Sequence, residues 1–174
     1  MKFLQDAKLI VGESAVDLTD ADLTDADLPG ADLADADLAG ADLRDAYLTG
    51  ADLTGANLTG ANLTGANLRD ANLPGADLVL ANLVNAILNF RDQRDTDLAG
   101  ADLGGAYLWG ADLGFANLTD ADLAGAYLRT ADLTGANLTS ANLTDADLRD
   151  ANLTDADLRD AKLDGALGLP EGIP

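Results

Sequence analysis

Leucine recurs every fifth residue along most of the chain, from Leu18 to Leu163. Between Val16 and Gly165 the sequence divides into thirty five-residue units. Leucine holds the central position, i, in twenty-nine of them, and Gln93 is the exception. Alanine holds i−2 in twenty-seven units, with Val16, Arg91 and Thr96 as the departures. Position i−1 is polar, aspartate in sixteen units and asparagine in nine. A period of five suits neither a helix, which needs about 3.6 residues per turn, nor a simple strand, which alternates every 2. Leucine at this spacing would wind around a helix and leave no apolar stripe. The chain must therefore turn once per unit. Pro29-Gly30 and Pro74-Gly75 fall at i+1 and i+2, and Pro followed by Gly at the centre of a turn is the type II signature. Positions i+1 and i+2 are thus corners, and Ala-Asx-Leu is a short extended side. Alternation along that side turns Ala and Leu inward and Asx outward.

Four units depart from Asx at i−1 with an apolar or aromatic residue: Tyr47, Ile87, Tyr107 and Tyr127. They are separated by multiples of twenty residues, which is four units. This spacing predicts a four-sided coil with all four residues on one side, which Trp109 and Phe90 share. A three-sided coil would scatter them. Arg69, Arg129 and Arg149 lie in the corners of that same predicted side. Tyr, Trp and Arg are the residues enriched at binding hot spots, so this is the candidate interaction side.

The tandem motif Ala-(Asp/Asn)-Leu-X-X, as in Ala56-Asn57-Leu58-Thr59-Gly60, resembles the pentapeptide repeat family. The resemblance covers about 150 of 174 residues. It implies an all-β fold, a right-handed quadrilateral β-helix, here of about seven and a half four-sided coils. One departure is that phenylalanine, which many members mix with leucine at position i, is absent from it. At roughly 4.8 Å per coil the rod is about 36 Å long. Residues 1–15 break the repeat and read as an N-terminal cap, with Phe3, Leu4 and Leu9 covering the first coil. Residues 16–165 form the β-helix, and residues 166–174 a C-terminal cap or tail. The competing reading of the ends is a homodimer joined through an incompletely covered coil.

A second irregularity lies at the centre. Arg91 stands in an inward alanine position and Gln93 in an inward leucine position, and burying an unpaired arginine is costly. Leu88 and Leu98 remain ten residues apart, so nothing is inserted. A distorted side is expected, and no long loop. Phe90, Arg91, Gln93 and Arg94 form a candidate hinge or contact. The outward apolar residues Val79, Leu80, Val84 and Ile87 nearby favour a contact.

Composition narrows the chemistry. The chain has no cysteine and no histidine, which excludes disulfides, thiol or Ser-His catalysis, and most zinc ligand sets. No catalytic, cofactor-binding or metal residue is assigned. The aspartates form solvent ladders with no apolar cleft to raise a pKa for acid–base work. No transmembrane run or signal peptide is visible, so the expected location is the cytoplasm, away from membranes. The net charge is −21. Aspartate shares its position with neutral asparagine, and both bond nearby backbone, so much of the acidity is a by-product of turn chemistry.

Two functions follow as expectations. The first is a non-enzymatic rod that scaffolds or binds a protein partner, unidentified by sequence, without contacting nucleic acid directly. The alternative is a DNA mimic acting on a type II topoisomerase such as gyrase, a role the family resemblance implies. A charge of −21 over about 36 Å is roughly one per 1.7 Å, the duplex value. The distribution argues against mimicry: residues 1–45 carry net −9, residues 46–90 only −2, and residues 91–174 carry −10.

Overall fold

The computed structural model describes residues 16–88 and 96–170. Every fully described unit has the predicted form. The i−1 residue pairs in parallel with its counterpart in the next coil, and i+1 and i+2 make a turn. The turn is closed by a bond from the following alanine N–H to the leucine carbonyl, as from Ala21 to Leu18 at 3.0 Å. Among the described residues position i+2 always has a left-handed φ, +64° at Gly30 and +65° at Gly75. Aspartate takes most of the remaining corners, as at Asp20 (φ 55°) and Asp45 (φ 56°), because short Asx side chains tolerate this region. Leu80 (φ 57°), Phe115 (φ 60°) and Thr130 (φ 58°) occupy it too, where a bulky or β-branched residue is strained.

Through most of the rod, three backbone bonds tie a unit to the coil above. In the first unit these are Leu18 N to Asp37 O at 2.7 Å, Asp37 N to Val16 O at 2.8 Å, and Asp20 N to Ala39 O at 2.9 Å. The inward residues are sealed. Leu38 through Leu88 and Leu98 through Leu148 are 0–1% exposed, and the alanines between them equally so. Leucine fills the coil and alanine leaves room for it. Toward the end, Leu153, Leu158 and Leu163 are only partly buried. The ladder continues to Leu167, whose N–H donates to the Ala146 carbonyl at 2.9 Å.

Pairing fixes four faces. Face 1 runs from Asp17 through Asp77 and Asp102 to Lys162. Face 2 runs from Asp22 through Asn82 and Tyr107 to Leu167. Face 3 runs from Asp27 through Ile87 and Asp112 to Asn152, and face 4 from Asp32 through Asn72 and Asp97 to Asp157. Partners are twenty residues apart from Asp17 to Ile87, and again from Asp97 to Leu167. Four pairs break the rule: Asn72 with Asp97, Asp77 with Asp102, Asn82 with Tyr107, and Ile87 with Asp112 are each twenty-five apart.

This register corrects two expectations. First, one five-residue unit between Leu88 and Thr96 is surplus to the coil, where none was expected. Arg91 and Gln93 cannot fill inward positions without burying unpaired polar groups. Thr96 instead opens the resumed side, fully buried, with its hydroxyl donating to the Leu68 carbonyl at 3.1 Å. Second, the surplus unit advances the later coils by one face. Tyr107 and Tyr127 therefore lie on face 2, while Tyr47 and Ile87 lie on face 3. The four do not share a side.

The corners obey a directional rule. Where a corner carries a side chain and the corner one coil later is glycine, the side chain leans over that glycine. A Cβ built on Gly105 would meet Leu80 at 3.1 Å, one on Gly110 would meet Asn85 at 2.8 Å, and one on Gly135 would meet the Phe115 ring at 2.6 Å. Glycines whose preceding corner is also glycine, such as Gly60, Gly75 and Gly125, have nothing within 4 Å.

Candidate interaction face

Local bonding accounts for most outward polar residues. The Asx oxygen at i−1 accepts the N–H of i+1, at 3.1 Å both for Thr59 to Asn57 and for Ala99 to Asp97. Aspartate and asparagine do this equally well, which explains their interchange. Threonine at i+1 adds its hydroxyl, as from Thr54 to Asp52 at 2.6 Å, and this bond holds the Asp52 carboxyl below its ordinary pKa. Asparagine adds a bond that aspartate cannot make. Its Nδ2 donates to the carboxylate one coil earlier, from Asn57 to Asp37 at 3.0 Å and from Asn117 to Asp97 at 2.9 Å.

Face 2 departs from this pattern. Its units 61–65, 81–85 and 106–110 contain no Asp, Glu, Lys or Arg, the longest uncharged run on any face. Above Asn82 stand Tyr107 and Tyr127, whose rings stack with centroids 5.0 Å apart and planes 6° apart. They remain 44% and 41% exposed, and Trp109 is 48% exposed. Parallel pairing places Trp109 between Val84 and Arg129: Asn85 N–H donates to the Trp109 carbonyl, and Gly110 N–H to the Arg129 carbonyl. Leu80, 57% exposed, lies over Gly105 at the corner leading into this side.

Charge bounds the strip at both ends. Toward the N-terminus are Asp22, Asp25, Asp42 and Asp45 with a single cation, Arg44. Arg44 is held by Asp42, Nη2 to Oδ2 at 2.6 Å, and Asp42 is held below its usual pKa by that bond. Toward the C-terminus are Arg129 and Arg149. Arg149 grips Asp147 with Nε to Oδ1 at 2.7 Å and Nη2 to Oδ2 at 2.6 Å. These bonds pull the nearly buried Asp147 carboxyl down to about 2. Arg129 makes a looser pair with Asp150 at 3.7 Å.

The predicted site residues therefore divide. Tyr107, Trp109, Tyr127, Arg129 and Arg149 come together on face 2. Tyr47, Ile87 and Arg69 belong to face 3. Phe90, Arg91, Gln93 and Arg94 lie outside the described residues. Two further apolar corners are exposed: Leu80, one of the outward apolar residues expected to favour a contact, and Phe115, which the repeat pattern does not single out. Their signal is a bulky apolar residue at i+2, a slot held elsewhere, Phe90 apart, by glycine or a small polar residue. Among the described residues no helix is long and apolar enough to cross a membrane, and no group of ligating side chains is placed to hold a metal ion.

A solenoid of leucine-centred five-residue units, four to a coil, defines a class. The sequence model for pentapeptide repeats matches residues 17–55, 51–89, 96–135 and 131–167. The chain belongs to the pentapeptide repeat family. Among solved structures it is similar to HetL, a pentapeptide repeat protein involved in heterocyst differentiation regulation from the cyanobacterium Nostoc sp. Strain PCC 7120. Identity is 42% over 92% of this chain and 77% of HetL, with a TM-score of 0.50. It shares the fold of QnrB1, a plasmid-mediated fluoroquinolone resistance protein, at 24% identity over 90% of this chain and 79% of that one, TM-score 0.51. A third similar structure is Rfr23 from the cyanobacterium Cyanothece 51142, at 33% identity over 65% of this chain and 64% of that one, TM-score 0.36. A search of curated proteins returned no match. The matched family is a repeat family.

Proposed function

We propose that the chain is a non-enzymatic rod, of about seven and a half coils, that binds a protein partner through face 2. The observation that carries this reading is the exposed Tyr107, Trp109 and Tyr127 cluster at the end of an uncharged strip of an otherwise acidic molecule. Local turn chemistry explains the aspartates but requires no aromatic residue at these positions. Rigid aromatics lose little conformational entropy on binding, which suits them to anchor a partner. The likeness to HetL, involved in heterocyst differentiation regulation, agrees with a regulatory role. The test replaces all three with serine, which touches no core leucine. The variant should fold as a rod and lose its captured protein partners or its self-association. An unchanged partner set together with an unchanged oligomeric state refutes the reading.

The charge density supports a second reading, imitation of duplex DNA toward a type II topoisomerase. Its acids stand mainly at the two ends of the rod, and residues 46–90 carry only −2, so the first reading is preferred. In a gyrase supercoiling assay the mimic must inhibit or protect the enzyme at micromolar concentration. No effect removes this alternative.

A further inference from the structure

Resting on the reading of face 2 as the binding face, we infer that its occupant is an extended peptide segment with an apolar or aromatic anchor and a basic group four to five residues away. Three observations carry this. The first is size. Leu80, Tyr107, Trp109 and Tyr127 are each about half exposed, a combined apolar area on the order of 300–400 Å². That is about half of the roughly 800 Å² each partner contributes to a stable globular interface. It suits a segment better than a second folded copy, and a net charge of −21 also opposes self-association.

The second observation is the direction of the strip. It runs along the rod axis, from coil to coil, so a ligand must lie lengthwise. The flat, uncharged units 61–65 and 81–85 offer polar amides and hydroxyls beneath such a segment but no charge to oppose it.

The third is charge complementarity. At the N-terminal end of the strip the acids exceed the cations, because Asp42 is satisfied by Arg44 while Asp22, Asp25 and Asp45 make no ion pair among the described residues. Asp45 and Tyr107 belong to coils three steps apart, Asp42 to Asn62 to Asn82 to Tyr107. At roughly 4.8 Å per coil this is about 14 Å, or four to five residues of extended chain. A lysine or arginine at that distance from the anchor lands on the acidic end. At the other end Arg149 is held by Asp147, but Arg129, only loosely paired with Asp150 at 3.7 Å and two residues from Tyr127, receives a carboxylate, whether an acidic side chain or a chain terminus.

The test uses the full chain and four synthetic peptides. The reference peptide carries two lysines, a four-residue Ser/Gly spacer, a Trp-Leu anchor and a free C-terminal carboxylate. The others replace both lysines with glutamate, shorten the spacer to one residue, or replace the anchor with Ser-Ser. Binding is read by fluorescence anisotropy at low salt and at 0.5 M salt. The reference peptide should bind at least tenfold more tightly than each of the others, and salt should weaken it. The variant Asp22→Asn/Asp25→Asn/Asp45→Asn should lose the preference for lysine over glutamate. Asparagine already stands at i−1 in nine units and at a corner in Asn85, φ 55°, so these exchanges keep the fold. Equal or tighter binding of the glutamate peptide, an unchanged preference in the asparagine variant, or no binding of the reference peptide overturns the inference. Loss of captured protein partners in the aromatic-to-serine variant, alongside any of those results, leaves face 2 as a binding face for another chemistry. The two readings thus fail separately.

Discussion

The directional corner rule makes a quantitative prediction for Gly135→Ala against Gly60→Ala. Both glycines have nearly the same backbone, φ +65° and +66°. Alanine in this region costs about 1–2 kcal/mol, offset by about 0.4–1 kcal/mol from a less flexible unfolded chain. Gly60→Ala should therefore lose about 0.5–1 kcal/mol and nothing more, since no atom lies within 4 Å of its new Cβ. At Gly135 the new Cβ would sit 2.6 and 2.7 Å from two carbons of the Phe115 ring, and the ring must leave. Phe115 is 55% exposed, so it forfeits somewhat less than half of the roughly 1.5–3 kcal/mol that full burial confers. The excess over Gly60→Ala is thus about 1 kcal/mol. Urea unfolding followed by Trp109 fluorescence measures it. A double-mutant cycle with Phe115→Ala should then return a coupling of the same size. Equal losses for the two alanines, or an excess that persists without the Phe115 ring, would show that the corner stacking reasoned here is not energetically real.

Three further outcomes are expected. The Asp147 carboxyl, titrated by NMR, should show a pKa of about 2 and return toward 3.8 in Arg149→Met. Because the folded value is depressed, its stabilising contribution is present above pH 4 and lost as pH falls toward 2, and the variant should lack that loss. Asn72→Asp removes Nδ2 bonds to Asp52 at 3.1 Å and Thr54 at 2.8 Å and sets two carboxylates together. A loss of about 1 kcal/mol at pH 7 is expected, shrinking below pH 4, and a loss that does not depend on pH refutes it. Arg91→Ala/Gln93→Leu restores the consensus and should draw the surplus unit into the coil, moving Tyr107 from Asn82 onto Ile87. Since the chain has no native cysteine, a disulfide between Cys at 87 and 107 should form in that background, and one between Cys at 82 and 107 without it.

The sequence made the coil plain because a buried leucine and a buried alanine recur without gaps, and because Pro29-Gly30 and Pro74-Gly75 expose the turn. The number of sides came out right on mixed grounds. Tyr47 with Ile87, and Tyr107 with Tyr127, do share faces, but the step of twenty from Ile87 to Tyr107 crosses from one face to the next. An insertion of one whole unit leaves every leucine in phase, so no spacing along the chain records it, and only pairing between coils does. Arg91 and Gln93 are its visible trace, but their polarity says only that a unit is unfit for the core and not where it goes. Phe115 falls outside the tyrosine pattern because its unit, 111–115, is not a multiple of twenty residues from the tyrosine units.

The lean of each corner side chain over the glycine that follows gives the rod an arrow, like the overlap of roof shingles. Substitutions at corners should therefore be constrained asymmetrically. A larger residue at a corner restricts what the site one coil toward the C-terminus can become, while the site one coil toward the N-terminus stays free. Leu80 demands a small neighbour at Gly105 but makes no demand on Gly60, beside whose open corner no atom lies. In a lineage of such rods, corner mutations would have to be accepted in order: the glycine first, then the bulky residue beneath it. Paired changes at this spacing should run in one direction along the chain.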